Sequence, residues 1–318
     1  MEWTACPLCS GVQSDLVYTR PDHRHRVDGT LFRVVRCRDC GFVFVNPRPT
    51  ARSIHRWYPP EFYGAGDVAE AALDRQRERL DAMAAWLSAL RPGRLLDVGC
   101  YKGEFMLWMA RRGWDVRGVE FSATPPNLFG LEIHHGELAD APFGIGDDAP
   151  FDAITVWAVL EHVFDPRRVL RECARRLRPG GRLFVLVPNF RSLPARFLQH
   201  DDVPRHVLMF TPETLRRLLG ECGLRTRRLA CEQTIYSGSV RGTLNYAAKL
   251  LAGEKHADIV AQNRAPGRWL EFACELRGRR SSFMERIDRL DQRVTPWLDR
   301  ALDRVGLGFI MTAEAVRE

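Results

Sequence analysis

The sequence predicts an α/β fold: a largely parallel sheet with helices on its faces, preceded by a small cysteine-bearing β module and interrupted before its last strand by a helical insertion. Three observations predict it. From residue 94 onward, apolar strand-like runs alternate with amphipathic helical segments, the pattern of parallel strands joined by crossover helices. Two Cys-x-x-C pairs, Cys6/Cys9 and Cys37/Cys40, bracket short β-like runs near the N-terminus. A further strand-like run, Gly308–Ala313, closes the chain after a long helical stretch. The corresponding division is 1–50 for the cysteine module, 51–92 for an aromatic segment and linking helix, 93–237 for the core, 238–305 for the insertion and 306–318 for the final strand.

Taken in order, Leu31–Val35 and Phe42–Val45 read as strands, the second ended by Asn46-Pro47-Arg48-Pro49. The aromatic, proline-rich piece from Trp57 to Gly64 leads into a helix with Leu73, Leu80, Met83, Leu87 and Leu90 on one face, stopped by Pro92-Gly93. Core strands are expected at Arg94–Val98, Val116–Glu120, Leu131–His134, Phe151–Trp157, Arg182–Val187 and Leu224–Ala230. A helix over 165–178 takes Asp165 as N-cap and Pro166 in its first turn, and stops at Pro179-Gly180-Gly181. Another starts at Thr211-Pro212-Glu213 and ends at Gly223. In the insertion, Leu250, Leu251, Trp269, Phe272, Leu290, Trp297 and Leu302 are expected to be buried contacts.

With 318 residues, 45% of them hydrophobic and 27% charged, the chain has the make-up of an ordinary globular protein. No stretch approaches the roughly 20 apolar residues of a membrane span, and the N-terminus lacks a basic region followed by an apolar core, so a cytoplasmic setting is expected. The net charge of +7 invites a nucleic-acid partner. Only Lys102, Lys249 and Lys255 are lysines among the 47 basic residues, however, and the arginines are interleaved with acids as on solvated helix faces, which argues against one.

The strongest motif runs Leu95-Leu96-Asp97-Val98-Gly99-Cys100-Tyr101-Lys102-Gly103-Glu104-Phe105. Here a strand enters a glycine-containing turn and a helix follows, as in nucleotide-binding units: the glycines let a ligand approach the backbone, and the helix start offers free N–H groups. Glu120 follows one helix and one strand later, where a carboxylate can accept both hydroxyls of a ribose. Downstream come Gly136-Glu137-Leu138-Ala139-Asp140, Trp157-Ala158-Val159-Leu160-Glu161-His162 and Arg178-Pro179-Gly180-Gly181.

In these five motifs, over residues 94–230, the chain resembles the class I S-adenosylmethionine-dependent methyltransferases, in particular the branch with Leu-Glu-His after the fourth strand and Pro-Gly-Gly before the fifth. The resemblance implies a Rossmann-like seven-stranded methyltransferase core that binds S-adenosyl-L-methionine. By position, Asp97, Gly99 and Gly103 would hold its methionine part and Glu120 its ribose, with Tyr101 also in the cofactor-binding loop. Glu137 and Leu138 would flank the adenine, Trp157 and Ala158 would lie under the sulfonium, and Phe121 is a further cofactor-binding candidate. Two departures stand out. Tyr101 replaces the usual middle glycine, so it either points away from the cofactor or packs over it. The segment after Glu120 carries Pro125-Pro126, which cannot sit in a helix interior.

Each Cys-x-x-C pair sets two thiolates on one tight turn, and two such turns make a tetrahedral four-sulfur site suited to structural zinc, with Cys6, Cys9, Cys37 and Cys40 as ligands. The run Cys40-Gly41 to Asn46-Pro47-Arg48-Pro49 is similar to the N-terminal zinc module of some sugar and natural-product methyltransferases. There a following aromatic segment packs near cofactor and substrate. That implies substrate roles for Tyr58 and Tyr63, with plain interdomain packing as the alternative.

Methyl transfer needs alignment and a base for the acceptor proton. His206, in the loop before the Thr211 helix, and His162, after the fourth strand, are the catalytic candidates, His206 first; a structural hydrogen bond is the other role open to each. Asp202 and Arg205, in the same loop as His206, are candidate acceptor contacts. The leading functional reading is O-methylation of a small-molecule acceptor, a sugar or natural-product intermediate. The alternatives are an rRNA or tRNA base methyltransferase carrying a zinc module, and a non-catalytic zinc-binding protein on a degenerate core. Oligomeric state is not legible.

Overall fold

In the computed structural model the described residues are 1–22, 24–59, 69–122, 127, 129–146, 148–192, 202–232, 235, 248, 250–251, 253 and 282–318. Tyr63, Trp269 and Phe272 lie outside them.

Eleven strands and five helices are described. They are β1 (Ser14–Pro21), β2 (Leu31–Cys37), β3 (Val43–Val45), α1 (Ala69–Trp86), β4 (Arg94–Val98), α2 (Glu104–Ala110), β5 (Asp115–Glu120), β6 (Ile133–His135), β7 (Phe151–Trp157), α3 (Pro166–Arg176), β8 (Leu177–Pro188), β9 (Leu208–Met209), α4 (Pro212–Glu221), β10 (Leu224–Cys231), α5 (Ser282–Arg304) and β11 (Ile310–Arg317). Seven form one sheet in the order β10-β11-β8-β7-β4-β5-β6, parallel except for β11, which runs antiparallel to both neighbours. The closing run is thus a sheet strand inserted between β8 and β10, with residues 232–309 lying before it in the chain.

The central strands are apolar on both faces because helices cover both. Side chains alternate along them. Leu95, Phe184 and Leu186 join Leu80 of α1 and Met106 of α2 in one cluster, while Leu96, Leu183 and Val185 join Leu170 of α3 and Leu215 of α4 in the other. The two helices on that second face start on good caps. Asp165 accepts the Arg168 N–H at 3.0 Å, and Thr211 and Thr214 form a reciprocal capping box.

The N-terminal module is a second, antiparallel sheet in the order β1-β2-β3-β9, and its edge strand β9 comes from the core loop between β8 and α4. Cys6, Leu8, Cys37, Phe42 and Phe44 share a buried cluster with α3 and α4, and the rings of Phe42 and Phe210 lie 5.4 Å apart. The module is therefore packed into the core by its own apolar face.

Several expected boundaries shift. α1 ends at Trp86, so Leu87 and Leu90 follow the helix; Leu87 is nevertheless buried. α3 ends at Arg176 and β8 begins at Leu177, because Pro179 biases the residues before it toward extended backbone. In the insertion, Leu302 is buried, but Leu250, Leu251, Leu290 and Trp297 are exposed, Trp297 by 72%. α5 turns Asp291, Thr295 and Asp299 inward. Periodicity groups residues on one face without saying which face turns in. No helix among the described residues is long and apolar enough to cross a membrane.

Candidate active site

Connections leave β4 and β7 in opposite directions, so a crevice opens at the carboxyl ends of these adjacent strands. The loop from Gly99 to Gly103 lines it. Gly99 has φ +75°, and a Cβ there would overlap the Val159 side chain, so only glycine fits. Gly103 (φ +88°) is the N-cap of α2. Tyr101, in place of the expected middle glycine, also adopts the left-handed conformation with φ +52°. That costs roughly 1–2 kcal/mol for a side-chain-bearing residue, and it aims the Tyr101 N–H at Glu120 Oε2, 2.8 Å away.

Glu120, at the end of β5, is 8% exposed and accepts a second backbone N–H, from Ser122, on Oε1 at 2.9 Å. Burial raises its pKa against these bonds. A carboxylate has about four lone-pair sites, so acceptor capacity remains for a ligand. Asp97, at the end of β4, accepts the Thr155 hydroxyl at 2.7 Å, and burial pushes its carboxyl up to about 7. Trp157 ends β7 buried, with the Phe105 ring edge-on at 5.6 Å, and its indole N–H has no hydrogen-bond partner among the described residues. Ala158 is a second non-glycine in left-handed backbone, φ +55°, and donates its N–H to Leu186 O. Phe121 is partly buried, Leu138 is buried in the core, and Glu137 is exposed as the N-cap of the short 3-10 turn Leu138–Asp140.

Beside β7, three chain segments converge. The Glu161 carbonyl accepts the N–H groups of Val207 and Leu208 at 2.9 and 3.1 Å, pinning the loop before β9 against the end of β7. His162 Nδ1 lies 3.1 Å from the Arg205 carbonyl oxygen, which can only accept, so Nδ1 carries the proton. The Tyr58 hydroxyl is 3.0 Å from the same nitrogen. The His206 ring stands edge-on to that of His162, centroids 4.7 Å apart. Burial drives the His162 pKa down to about 4 and, together with His162 itself, holds His206 well below the ordinary imidazole value. Both rings are neutral at pH 7. Burial pushes the carboxyl of Glu161 up to about 8.

Arg205 and Asp202 are used differently from expectation. Arg205 has no exposed side-chain surface. Its guanidinium donates to Asp22 (2.8 and 3.2 Å), to Asp202 (2.6 and 3.0 Å) and to the Trp57 carbonyl (2.7 Å). Arg24 completes the set at 3.2 Å from Asp202. Burial alone would raise the Asp202 carboxyl, but Arg205 and Arg24 hold it well below the usual carboxylate range. With its donors consumed, Arg205 holds the hairpin after β1, the Trp57-Tyr58 corner and the His206 loop together instead of meeting an acceptor. Sequence reasoning missed Asp22, Trp57 and Arg24, which carry no local motif. It read Glu161 only as part of the Leu-Glu-His signature.

Cys6, Cys9, Cys37 and Cys40 form one cluster, with Cys6–Cys40 and Cys9–Cys37 Sγ separations of 3.6 and 3.5 Å. A zinc tetrahedron with bonds of about 2.3 Å has S–S edges of about 3.8 Å, so the donor set fits that ion.

The model of the methyltransferase domain family matches residues 69–229, just over half of the chain. The chain belongs to this family, the class I S-adenosylmethionine-dependent methyltransferases. It is similar to the ubiquinone biosynthesis O-methyltransferases of Alkalilimnicola ehrlichii (33% identical over 141 residues, 42% of this chain and 55% of the relative) and Marinobacter nauticus (35% over 172 residues, 50% and 67%). The chain spans about half the length of the first of these relatives. Among solved structures it is similar to the geranyl diphosphate C-methyltransferase from Streptomyces coelicolor A3(2), 17% identical, covering 79% of this chain and 84% of that one at a TM-score of 0.46. The matched segment, 69–229, lies entirely after the four cysteines.

Proposed function

We propose that the chain is a cytoplasmic O-methyltransferase that transfers a methyl group from S-adenosylmethionine to a hydroxyl of a small molecule, of the sugar or natural-product class. The observation that carries the reading is the convergence of His162, His206 and the Tyr58 hydroxyl at the carboxyl end of β7, beside Asp97 and Glu120. The relatives named as O-methyltransferases support oxygen as the acceptor atom.

Three features of the crevice fit the cofactor: a tight loop whose Gly99 admits no side chain beside Val159, a buried carboxylate with acceptor capacity to spare, and a buried indole N–H lacking a partner among the described residues. In this reading Asp97, Gly99, Tyr101 and Gly103 cradle the methionine part, and Glu120 accepts the ribose hydroxyls. Phe121, Glu137 and Leu138 flank the adenine, and Trp157 and Ala158 lie under the sulfonium. When bound, S-adenosylmethionine would supply an already activated methyl, leaving as a neutral thioether once the methyl is on oxygen, while the hydroxyl proton would pass to a base such as His206. The protein has only to align the hydroxyl and ease the loss of that proton. Tyr58 and the histidine pair do this, His206 foremost, while the Arg205 network holds their three segments in register.

His206→Ala should lower turnover by roughly 10²–10⁴ with cofactor affinity nearly unchanged. The check is transfer of labelled methyl to a panel of hydroxylated acceptors; full turnover in the variant would end the assignment. The four cysteines are read as a structural zinc site, so purified protein should contain one zinc per chain and Cys37→Ser with Cys40→Ser should contain none. Zinc retained in that double variant would refute the ligand set.

A further inference from the structure

The helix α5 turns polar side chains toward the core and apolar ones toward water. Its buried side carries Asp291, Thr295 and Asp299 beside Leu302, and the Thr295 hydroxyl donates to the Asp291 carbonyl at 2.7 Å. Its outward side carries Leu290, Val294, Trp297, Leu298 and Ala301, all exposed. A surface helix ordinarily faces its apolar stripe to the core. At about 100° per residue, the five outward residues share one sector roughly 100° wide, so they form a continuous stripe.

The charges of α5 are sorted as well. Arg286, Arg289, Arg293, Arg300 and Arg304 are exposed, and they fall in a sector of roughly 60° along one flank of the stripe. None of the five forms an ion pair among the described residues, whereas Asp291, Asp299 and Asp303 are engaged within the chain. The Arg300 guanidinium lies over the Trp297 ring, 5.6 Å from its centroid, where the arginine row meets the stripe.

We propose that this face of α5 docks the protein on an anionic lipid surface. The helix lies in the plane of the headgroups, with the stripe at the acyl boundary and the arginine row on the phosphates. A basic amphipathic helix with Trp and Leu on its apolar side has the composition of such an anchor. It rests on the bilayer and does not span it, in keeping with the lack of a spanning helix among the described residues.

Other occupants fit this face less well. A protein groove holds a helix between two walls, and the flank of the stripe opposite the arginines is already closed by the core. A second copy laid antiparallel would set one arginine row against the other. Nucleic acid would meet the arginines and leave the stripe in water. A lipid surface needs only the outward face and satisfies both of its sectors. α5 packs against β10, the edge strand of the large sheet, with β11 and β8 between it and β7. Docking there is therefore separate from the crevice, and the proposal stands apart from methyl transfer.

Co-sedimentation of the full chain with vesicles tests it. The protein should pellet with vesicles of equal phosphatidylglycerol and phosphatidylcholine, should not pellet with phosphatidylcholine alone, and should be released by raised salt. Arg293→Gln with Arg300→Gln and Arg304→Gln should weaken binding roughly 100-fold, about fivefold for each charge near an anionic surface. Trp297→Gln with Leu298→Gln should weaken it at least about 10-fold by removing apolar area from the acyl boundary. Both variants change exposed side chains only, so their Tm should match that of wild type. No pelleting with the anionic vesicles, or equal binding by either variant, would overturn the proposal. A lipid-free dimer that Trp297→Gln with Leu298→Gln disperses in sedimentation velocity would assign the stripe to a second copy and overturn it too.

Discussion

The two sides of the crevice are built in opposite ways. On the cofactor side, Asp97, Gly99, Tyr101, Gly103 and Glu120 come from one stretch of chain, and what shapes the surface is backbone: three left-handed residues and two N–H groups aimed at one carboxylate. On the acceptor side, Tyr58, His162 and His206 come from three distant segments, and a buried ion network anchored on Arg205 brings them together. A site written into one strand–loop–helix–strand stretch survives changes elsewhere in the fold. A site assembled across two sheets depends on what ties the sheets, here β9 and Arg205.

Removing the Arg205 tie should have the largest effect. Arg205→Met would leave buried Asp22 without its ion-pair partner and Asp202 with Arg24 alone, and breaking a buried pair in this way costs about 3–5 kcal/mol. Chemical denaturation of the variant should show this loss, with cofactor affinity of the folded fraction nearly unchanged. A loss under about 1 kcal/mol would mean that the acceptor side is held by its apolar contacts, and the contrast would fail.

A smaller effect separates the sides by pH. His162 titrates near 4 in the folded protein, against 6.5 for an ordinary imidazole, because burial disfavours its charged form. Between these values the unfolded chain binds more protons. The stability that neutral His162 contributes is therefore full above about pH 6.5 and is lost as the pH falls toward 4. Comparison with His162→Gln isolates the effect, since the raised carboxyls of Asp97 and Glu161 act in both proteins with the opposite sign. The stability of wild type relative to the variant should fall on acidification by up to about 1.4 kcal/mol per pH unit. A difference that does not change with pH would mean that His162 is solvated.

The same contrast explains what was legible in the sequence. The strand–loop–helix around Asp97 and the four cysteines were readable because each is a local pattern whose geometry follows from spacing. The place of the last strand was readable from its apolar run. β9 was not, because two residues carry no periodicity, and so the sharing of a core strand by the cysteine module went unseen. Arg205 looked like an acceptor contact because its loop is polar; its partner Asp22 is far away in sequence, and only the fold brings the two charges together. The exposed Trp297 and inward Asp299 of α5 mark the same limit: a helical stripe has no sign until its neighbours are known.

The most direct test of the central claim is calorimetric titration of S-adenosylhomocysteine into wild type and Glu120→Ala. Wild type should bind at one per chain. The variant removes a charged acceptor already fixed by the Tyr101 and Ser122 N–H groups, and should lose about 1.5–3 kcal/mol, roughly 10–150-fold in affinity. No binding by the wild type, or equal binding by a folded Glu120→Ala, would contradict the account.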